Sequence, residues 1–175
     1  MTKKPVFILT LALILVLVGC AKAPTTQPPA AERPDGSEDL PGFVFAAKDA
    51  FGNEVSQNDW AEYDLIMLNF WATWCPPCLA ELPDLQELWQ EYGPQGLLIL
   101  GVLADGVAAD ALPYIEQHGL TYPVFAATGD LKLRNRTMQY VPTTLFVTPD
   151  GQELKEVVGA NSFDGWSKII EELLP

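Results

Sequence analysis

The chain has 175 residues, of which 49 % are hydrophobic and 10 % aromatic, enough to bury the core of one domain of ordinary size. Lys and Arg number 10 against 23 Asp and Glu, and the net charge of −13 excludes nucleic-acid binding on electrostatic grounds. With 3 Cys and 1 His the chain can build neither a disulfide-stapled small domain nor a Cys₄ or Cys₂His₂ zinc site.

The first 19 residues have the pattern of a bacterial export signal. Lys3 and Lys4 precede an apolar run over residues 6–18, which is too short for a comfortable transmembrane helix. The run ends in Leu-Val-Gly-Cys, which resembles a lipobox, and this predicts lipidation of Cys20 and anchoring to a lipid bilayer. The alternatives are an ordinary signal peptide with an incidental cysteine, or an uncleaved membrane anchor. All three place the domain outside the cytoplasm.

Residues 20–40 are predicted to be a tether that follows the lipidated cysteine. This segment contains four prolines, no aromatic residue and few aliphatic residues, so it cannot bury enough apolar surface to offset the entropy of ordering its backbone. The folded domain is therefore expected to cover residues 41–175.

Strands and helices alternate along this domain. Alternation at Phe43 and Phe45, followed by a Gly52-Asn53 turn, indicates an extended start to the domain, and Ser162 is expected to cap the last helix. The predicted strands cover residues 65–71, 97–104, 124–125, 143–148 and 153–158. The first predicted helix follows the strand at 65–71, carries an apolar stripe from Leu82 to Tyr92 and ends at Gly93. Further helices are predicted over residues 110–118 and 130–138, and the last one carries the apolar residues between positions 166 and 173. This order predicts an α/β fold with a central mixed sheet flanked by helices.

Two cysteines lie where the strand at residues 65–71 gives way to a helix. The run Cys75-Pro76-Pro77-Cys78 places Cys75 at a helix N-terminus, where the helix dipole favours a thiolate. Two sulfurs on one first turn can form a disulfide whose opening needs little backbone movement, so the spacing predicts a reversible redox pair.

Two cysteines at this spacing also suit other chemistries. A permanent structural disulfide is disfavoured, because so short a loop restricts the unfolded chain very little. A Cu(I) site made by the two thiolates stays open as an alternative function, since soft sulfur ligands suit that ion. A peroxiredoxin-type site is disfavoured, because Ala72 stands where a threonine would be needed. No cofactor and no resident metal are expected.

The run from Phe70 to Cys78, followed by Glu81-Leu82-Pro83, resembles the extracytoplasmic thioredoxin-like proteins of the TlpA/ResA type. The resemblance spans residues 41–175 and includes the run from Val141 to Thr144. It implies a thioredoxin-like fold, thiol-disulfide exchange, and a cis proline at Pro142 next to the cysteines.

The predicted roles follow from this resemblance and from the position of each residue. Cys75 is expected to attack a partner disulfide and Cys78 to resolve the mixed disulfide. A cis Pro142 would leave the Val141 backbone free to bind an extended substrate chain. The predicted substrate-binding residues are Trp74, Pro76, Pro77, Val141 and Thr143.

Glu81 is the candidate proton carrier. It lies three residues after Cys78 on the same helical face, and the resemblance implies an acidic group there that relays protons beneath the cysteines. The alternative is a solvated glutamate favoured by the helix dipole. Thioredoxins proper carry a buried aspartate in the preceding strand, where this chain has Asn69, which cannot titrate.

These observations predict a membrane-anchored oxidoreductase that reduces specific partner disulfides. The expected partners are an extracytoplasmic disulfide protein, for example an apocytochrome c during cytochrome c maturation, and an upstream membrane thiol donor. Between Lys48 and Lys132 the chain has 13 acidic residues and no Lys or Arg, so the redox face is expected to attract basic clients.

Overall fold

A five-stranded mixed sheet forms the centre of the domain. The computed structural model describes residues 42–175. The strand order is β5-β4-β3-β6-β7, in which β4 and β5 run parallel to β3, while β6 and β7 continue the other side of the sheet in antiparallel pairs. The sheet strands are β3 (Leu65–Trp71), β4 (Leu97–Leu103), β5 (Val124–Ala126), β6 (Thr143–Val147) and β7 (Glu153–Val158), preceded by a separate hairpin of β1 (Ala46–Lys48) and β2 (Glu54–Ser56). The predicted mixed sheet is confirmed.

Four α-helices complete the domain. They are α1 (Pro76–Tyr92), α2 (Leu112–His118), α3 (Gly129–Thr137) and α4 (Phe163–Leu173). The predicted cap of the last helix is confirmed, because the Ser162 side chain accepts from the Gly165 amide at 3.3 Å. His118 and Gly119 end α2, as predicted, with Gly119 in the left-handed conformation at φ 62°.

The central strand β3 is buried on both faces, which explains its uninterrupted apolar sequence. Met67 and Trp71 face a layer formed by α1, α2 and α4, where Leu82, Leu85 and Trp166 are completely buried. The alternate residues of β3 face a second layer that contains α3 and the segment around the β1–β2 hairpin. Each fully buried large apolar side chain contributes about 1.5–3 kcal/mol to folding, so both layers stabilise the strand that leads into α1.

Some predicted boundaries were wrong. The helix expected over residues 110–118 begins only at Leu112, because the Asp110 carboxylate accepts from the Val107 amide at 2.9 Å and closes a separate 3-10 turn, Ala108–Ala111. Phe43 and Phe45 precede the first strand, and Phe45 stacks on Phe125 with ring centroids 5.3 Å apart.

The chain enters the domain through residues 42–45. The Val44 amide donates to Asp130 Oδ2 at 2.9 Å, and the Val44 carbonyl accepts from the Asp130 amide at 3.0 Å. A Cβ atom on Gly151, whose φ is 86°, would lie 2.6 Å from the Gly42 Cα atom. Glycine at position 151 therefore permits close packing of the entering chain against the β6–β7 turn.

The predicted signal segment at residues 1–19, the lipidation site Cys20 and the tether at 20–40 lie outside the described residues. Within residues 42–175, no helix has both the length and the apolar character needed to cross a membrane.

Candidate functional site

The disulfide between Cys75 and Cys78 lies at the start of α1, at the carboxyl end of β3, and confirms the predicted pairing. Cys75 is the N-cap residue with extended backbone, and Pro76 and Pro77 occupy the first helical turn, where a proline needs no amide partner. The Cys78 amide points at Cys75 Sγ, at a distance of 3.3 Å. The end of the strand and the cap together therefore fix both sulfurs.

The two cysteines differ in access to solvent. Cys75 is 3 % exposed, whereas Cys78 is completely buried under the first turn. Trp74, Pro76 and Pro77 around them are exposed. Cys75 is therefore the cysteine nearer to the surface, beside exposed side chains, whereas Cys78 has no exposed surface.

The loop before β6 lies against the disulfide. The Val141–Pro142 peptide bond is cis, and the Val141 carbonyl oxygen lies 3.5 Å from Cys75 Sγ. The Pro142 carbonyl accepts from the Gly159 amide at 2.8 Å. The Thr143 side chain is buried and its hydroxyl donates to the Tyr140 carbonyl at 2.8 Å, so this hydroxyl holds the loop. The expected contacts of Val141 and Thr143 with a substrate stay predictions.

Trp74 lies at the surface beside the disulfide and is 66 % exposed. Its indole Nε1 donates to Asp105 Oδ2 at 2.6 Å, which fixes the ring toward the loop after β4. Asp105 was not predicted. Its position just after β4 was the available signal, because β3 and β4 are parallel and their carboxyl ends meet at one edge of the sheet.

Glu81 is buried one helical turn after Cys78 and is 2 % exposed. Its Oε1 accepts from Asn69 Nδ2 at 2.9 Å, and its Oε2 accepts from the Asn161 amide at 3.2 Å. Burial raises the pKa of Glu81 to about 7, although these two hydrogen bonds lower it. The solvated glutamate that served as the alternative is therefore wrong, and the carboxyl group gains and loses a proton near neutral pH.

The contact from Asn161 was also missed by the sequence analysis. Asn161 is 80 positions from Glu81 in the chain, just before α4, and the contact uses only its backbone amide. A backbone contact carries no sequence signal. Among residues 42–175, no group of three or more His, Cys, Asp and Glu side chains is placed to hold a metal ion.

Comparisons with known proteins give consistent results. The model of the AhpC/TSA family matches residues 38–152. The thiol-disulfide oxidoreductase ResA of Geobacillus thermodenitrificans is 30 % identical over 135 residues, which cover 77 % of this chain and 76 % of that protein. ResA of Oceanobacillus iheyensis is 38 % identical over 112 residues, a match that spans 63 % of this chain and 57 % of that protein.

Solved structures show the same fold. A thiol:disulfide interchange protein of the thioredoxin family from Chlorobium tepidum superposes with a TM-score of 0.69 at 24 % identity, covering 78 % of this chain and 97 % of that chain. A secreted disulfide oxidoreductase of Mycobacterium tuberculosis gives a TM-score of 0.62 at 19 % identity, with coverages of 74 % and 96 %. At these identities the likeness shows the fold, which is thioredoxin-like as predicted.

Proposed function

Because the chain belongs to the AhpC/TSA family and is a ResA-like thiol-disulfide oxidoreductase, we propose that it works as a reductant of disulfides in other proteins. The observation that carries the proposal is the placement of Cys75 at the first turn of α1, facing the cis-proline loop, with Cys78 buried behind it. This arrangement offers one sulfur to a partner and keeps the other for resolution.

The reaction has two exchange steps. The Cys75 thiolate attacks one sulfur of the partner disulfide, which breaks that bond, forms a mixed disulfide and releases the first partner thiolate to take a proton from water. Cys78 then loses its proton, and its thiolate attacks Cys75 Sγ. The Cys75–Cys78 disulfide forms and the second partner thiolate leaves. Two electrons pass from the dithiol to the partner, and a membrane thiol donor upstream restores the dithiol.

Glu81 is proposed to accept the proton that Cys78 loses. The support is its burial, its place one turn after Cys78 in α1, and a pKa of about 7 that leaves a large fraction ionised at neutral pH. The same carboxyl group returns the proton when the upstream donor opens the disulfide and Cys78 leaves as a thiolate.

The direction of electron flow rests on the amides around Cys75. A helix N-cap commonly accepts from the amides of the second and third helical residues, but Pro77 has no N–H and only the Cys78 amide donates. A Cys75 thiolate with fewer donors is less stable, and a less stable dithiol form makes a more reducing couple.

The reduction potential of the pair tests this direction. We expect a value closer to about −270 mV than to about −120 mV, the span of familiar Cys-x-x-Cys proteins. Pro77→Ala restores a donor to Cys75 and is expected to raise the potential by roughly 30 mV. Pro83→Ala, farther along the same helix, is the control and is expected to leave it unchanged. A wild-type potential near the oxidising end contradicts the proposal.

The proposed client is a basic disulfide protein such as an apocytochrome c. Two acidic residues in the structure support this, in addition to the acidic stretch between Lys48 and Lys132. Asp105 accepts a hydrogen bond from Trp74 beside the disulfide, and the exposed Asp110 lies in the 3-10 turn that follows. An acidic face speeds encounter with a cationic chain.

Exchange rates with two disulfide peptides of equal intrinsic reactivity test this client class. The cationic peptide is expected to react several-fold faster than the anionic one at low salt, and added salt should narrow the difference. Equal rates for the two peptides at low salt would contradict the proposal that clients are selected by charge. The proposed thiol-disulfide exchange would be unaffected by that result.

An extracytoplasmic location with a lipid anchor at Cys20 is the proposed setting, supported by the export signal and the lipobox in residues 1–20. Cys20→Ser is expected to abolish incorporation of labelled palmitate. Unchanged labelling of that variant would refute the anchor.

A further inference from the structure

A single buried side-chain amide, that of Asn69, connects β3, α1 and β6. Asn69 on β3 donates through Nδ2 to Glu81 Oε1 on α1 at 2.9 Å and to Thr144 Oγ1 on β6 at 3.1 Å. Asn69, Glu81 and Thr144 are each no more than 2 % exposed. Asn69 Oδ1 is also buried, and no described residue donates a hydrogen bond to it.

This arrangement suits either charge state of the carboxyl group. An ionised carboxylate only accepts, and Nδ2 donates to it, whereas a protonated carboxylic acid has a hydrogen to donate. A half-turn of the amide exchanges Nδ2 and Oδ1, so that Oδ1 accepts from the carboxylic acid. The Thr144 hydroxyl both donates and accepts, and it can bond to the amide in both orientations. In each orientation one amide atom lacks a partner, so neither is strongly preferred.

We propose that Asn69 is a positioning residue that holds the Glu81 carboxyl group one helical turn after Cys78 and reverses its amide when that group gains or loses a proton. The inference rests on the proposed function of Glu81 as the proton acceptor of Cys78. It gives a reason for an amide rather than an aspartate at this position. Asparagine holds the carboxyl group without carrying a proton of its own, and two adjacent carboxyl groups would compete for one proton.

Other titratable groups near Glu81 have fixed roles in this scheme. Asp84 on α1 adds negative charge that raises the pKa of Glu81. Tyr122, just ahead of β5, is completely buried, and burial raises the pKa of its phenol, which keeps it neutral. Cys78 lies one turn earlier in α1 and exchanges the proton. The Asn69 amide and the Trp166 indole both favour the ionised carboxylate, and Asn69 donates to it at 2.9 Å.

The test is the pKa of Glu81 in the oxidised full-length chain, measured from its carboxyl ¹³C signal, which Glu81→Gln identifies by its loss. Asn69→Leu removes the donor to the carboxylate and is expected to raise this pKa by about one unit. Asn135→Leu removes an amide that donates to the Ala104 carbonyl, and this control is expected to leave the Glu81 signal unmoved.

A second variant guards against misfolding of Asn69→Leu. Asn69→Asp keeps the size of the side chain and introduces the residue that thioredoxins proper carry there. The new carboxyl group and Glu81 are expected to titrate in two separated steps, the upper one above the wild-type value. A Glu81 pKa that is unchanged in both Asn69 variants overturns the inference, since a purely structural asparagine would change only thermal stability.

The pH profile of disulfide exchange separates this inference from the proposed function. Its midpoint is expected to move in the same direction as the Glu81 pKa in Asn69→Leu. If the ¹³C pKa rises and the exchange profile stays fixed, positioning by Asn69 stands and the proton role of Glu81 is refuted.

Discussion

Cys78→Ser is expected to accumulate a covalent complex with a disulfide substrate, and Cys75→Ser none. In the first variant Cys75 still attacks, but no thiol remains to release the partner. In the second, the remaining sulfur is completely buried and cannot reach a partner. Turnover of both variants should fall on the order of 10³-fold or more, because a nucleophile and its resolver act as one unit.

The trapping experiment uses a peptide disulfide as the probe and non-reducing gels with mass measurement as the readout. Both variants carry Cys20→Ser in addition, so that no third thiol contributes a band. Equal trapping by the two variants would refute the assignment of Cys75 as nucleophile and Cys78 as resolver. Trapping by Cys75→Ser alone would reverse it.

The second large effect is on stability as a function of pH. The pKa of Glu81 is about 7 in the folded protein against an ordinary value of 4.5, so the folded state binds the proton more tightly than the unfolded state. The stability that this difference contributes is fully present below pH 4.5 and is lost as the pH rises through 7. Relative to wild type, Glu81→Gln should therefore gain about 2–3 kcal/mol in the free energy of unfolding between pH 4.5 and 8.

Denaturant unfolding of the oxidised protein at several pH values measures this gain, since disulfide-bonded cysteines do not titrate. Glu87→Gln removes an exposed carboxylate from the same helix, and its stability curve should run parallel to that of wild type. A constant difference between Glu81→Gln and wild type from pH 4.5 to 8 would show that Glu81 is not a buried acid of raised pKa.

The sequence predicted most clearly the elements whose cause is local. The apolar run of β3 and the stripe of α1 are set by burial, and the N-cap position of Cys75 by the start of that stripe. The start of α2 was misplaced because Asp110 bonds to the Val107 backbone instead of opening the helix. A short polar side chain can bond to the nearby backbone in place of a helical hydrogen bond. Which of the two forms depends on local geometry that the spacing of apolar residues does not specify.

In the candidate site, too, residues in local motifs were predictable and contacts between distant parts of the chain were not. The cysteine pair and Pro142 belong to recognisable motifs, so their positions were predictable. The environment of Glu81 was not, because it depends on Asn161 and Thr144, which approach from distant parts of the chain. Asn69 was identified only as a residue that cannot titrate. Its hydrogen bond to Thr144 follows from the pairing of β3 with β6, in which the two residues lie opposite each other, and its bond to Glu81 depends on how α1 packs on the sheet.

The attachment of residues 42–45 has a mechanical consequence. Gly42 packs on Gly151 in the β6–β7 turn, whereas the loop of Pro142 precedes the other end of β6, about 15 Å away for a five-residue strand. A pull on the chain ahead of Gly42 loads the two hydrogen bonds between Val44 and Asp130, one to the Asp130 carboxylate and one from its backbone amide. The force then acts at the end of the sheet that holds the β6–β7 turn. Tension on the preceding chain therefore leaves the contact between Val141 and the Cys75 sulfur undisturbed.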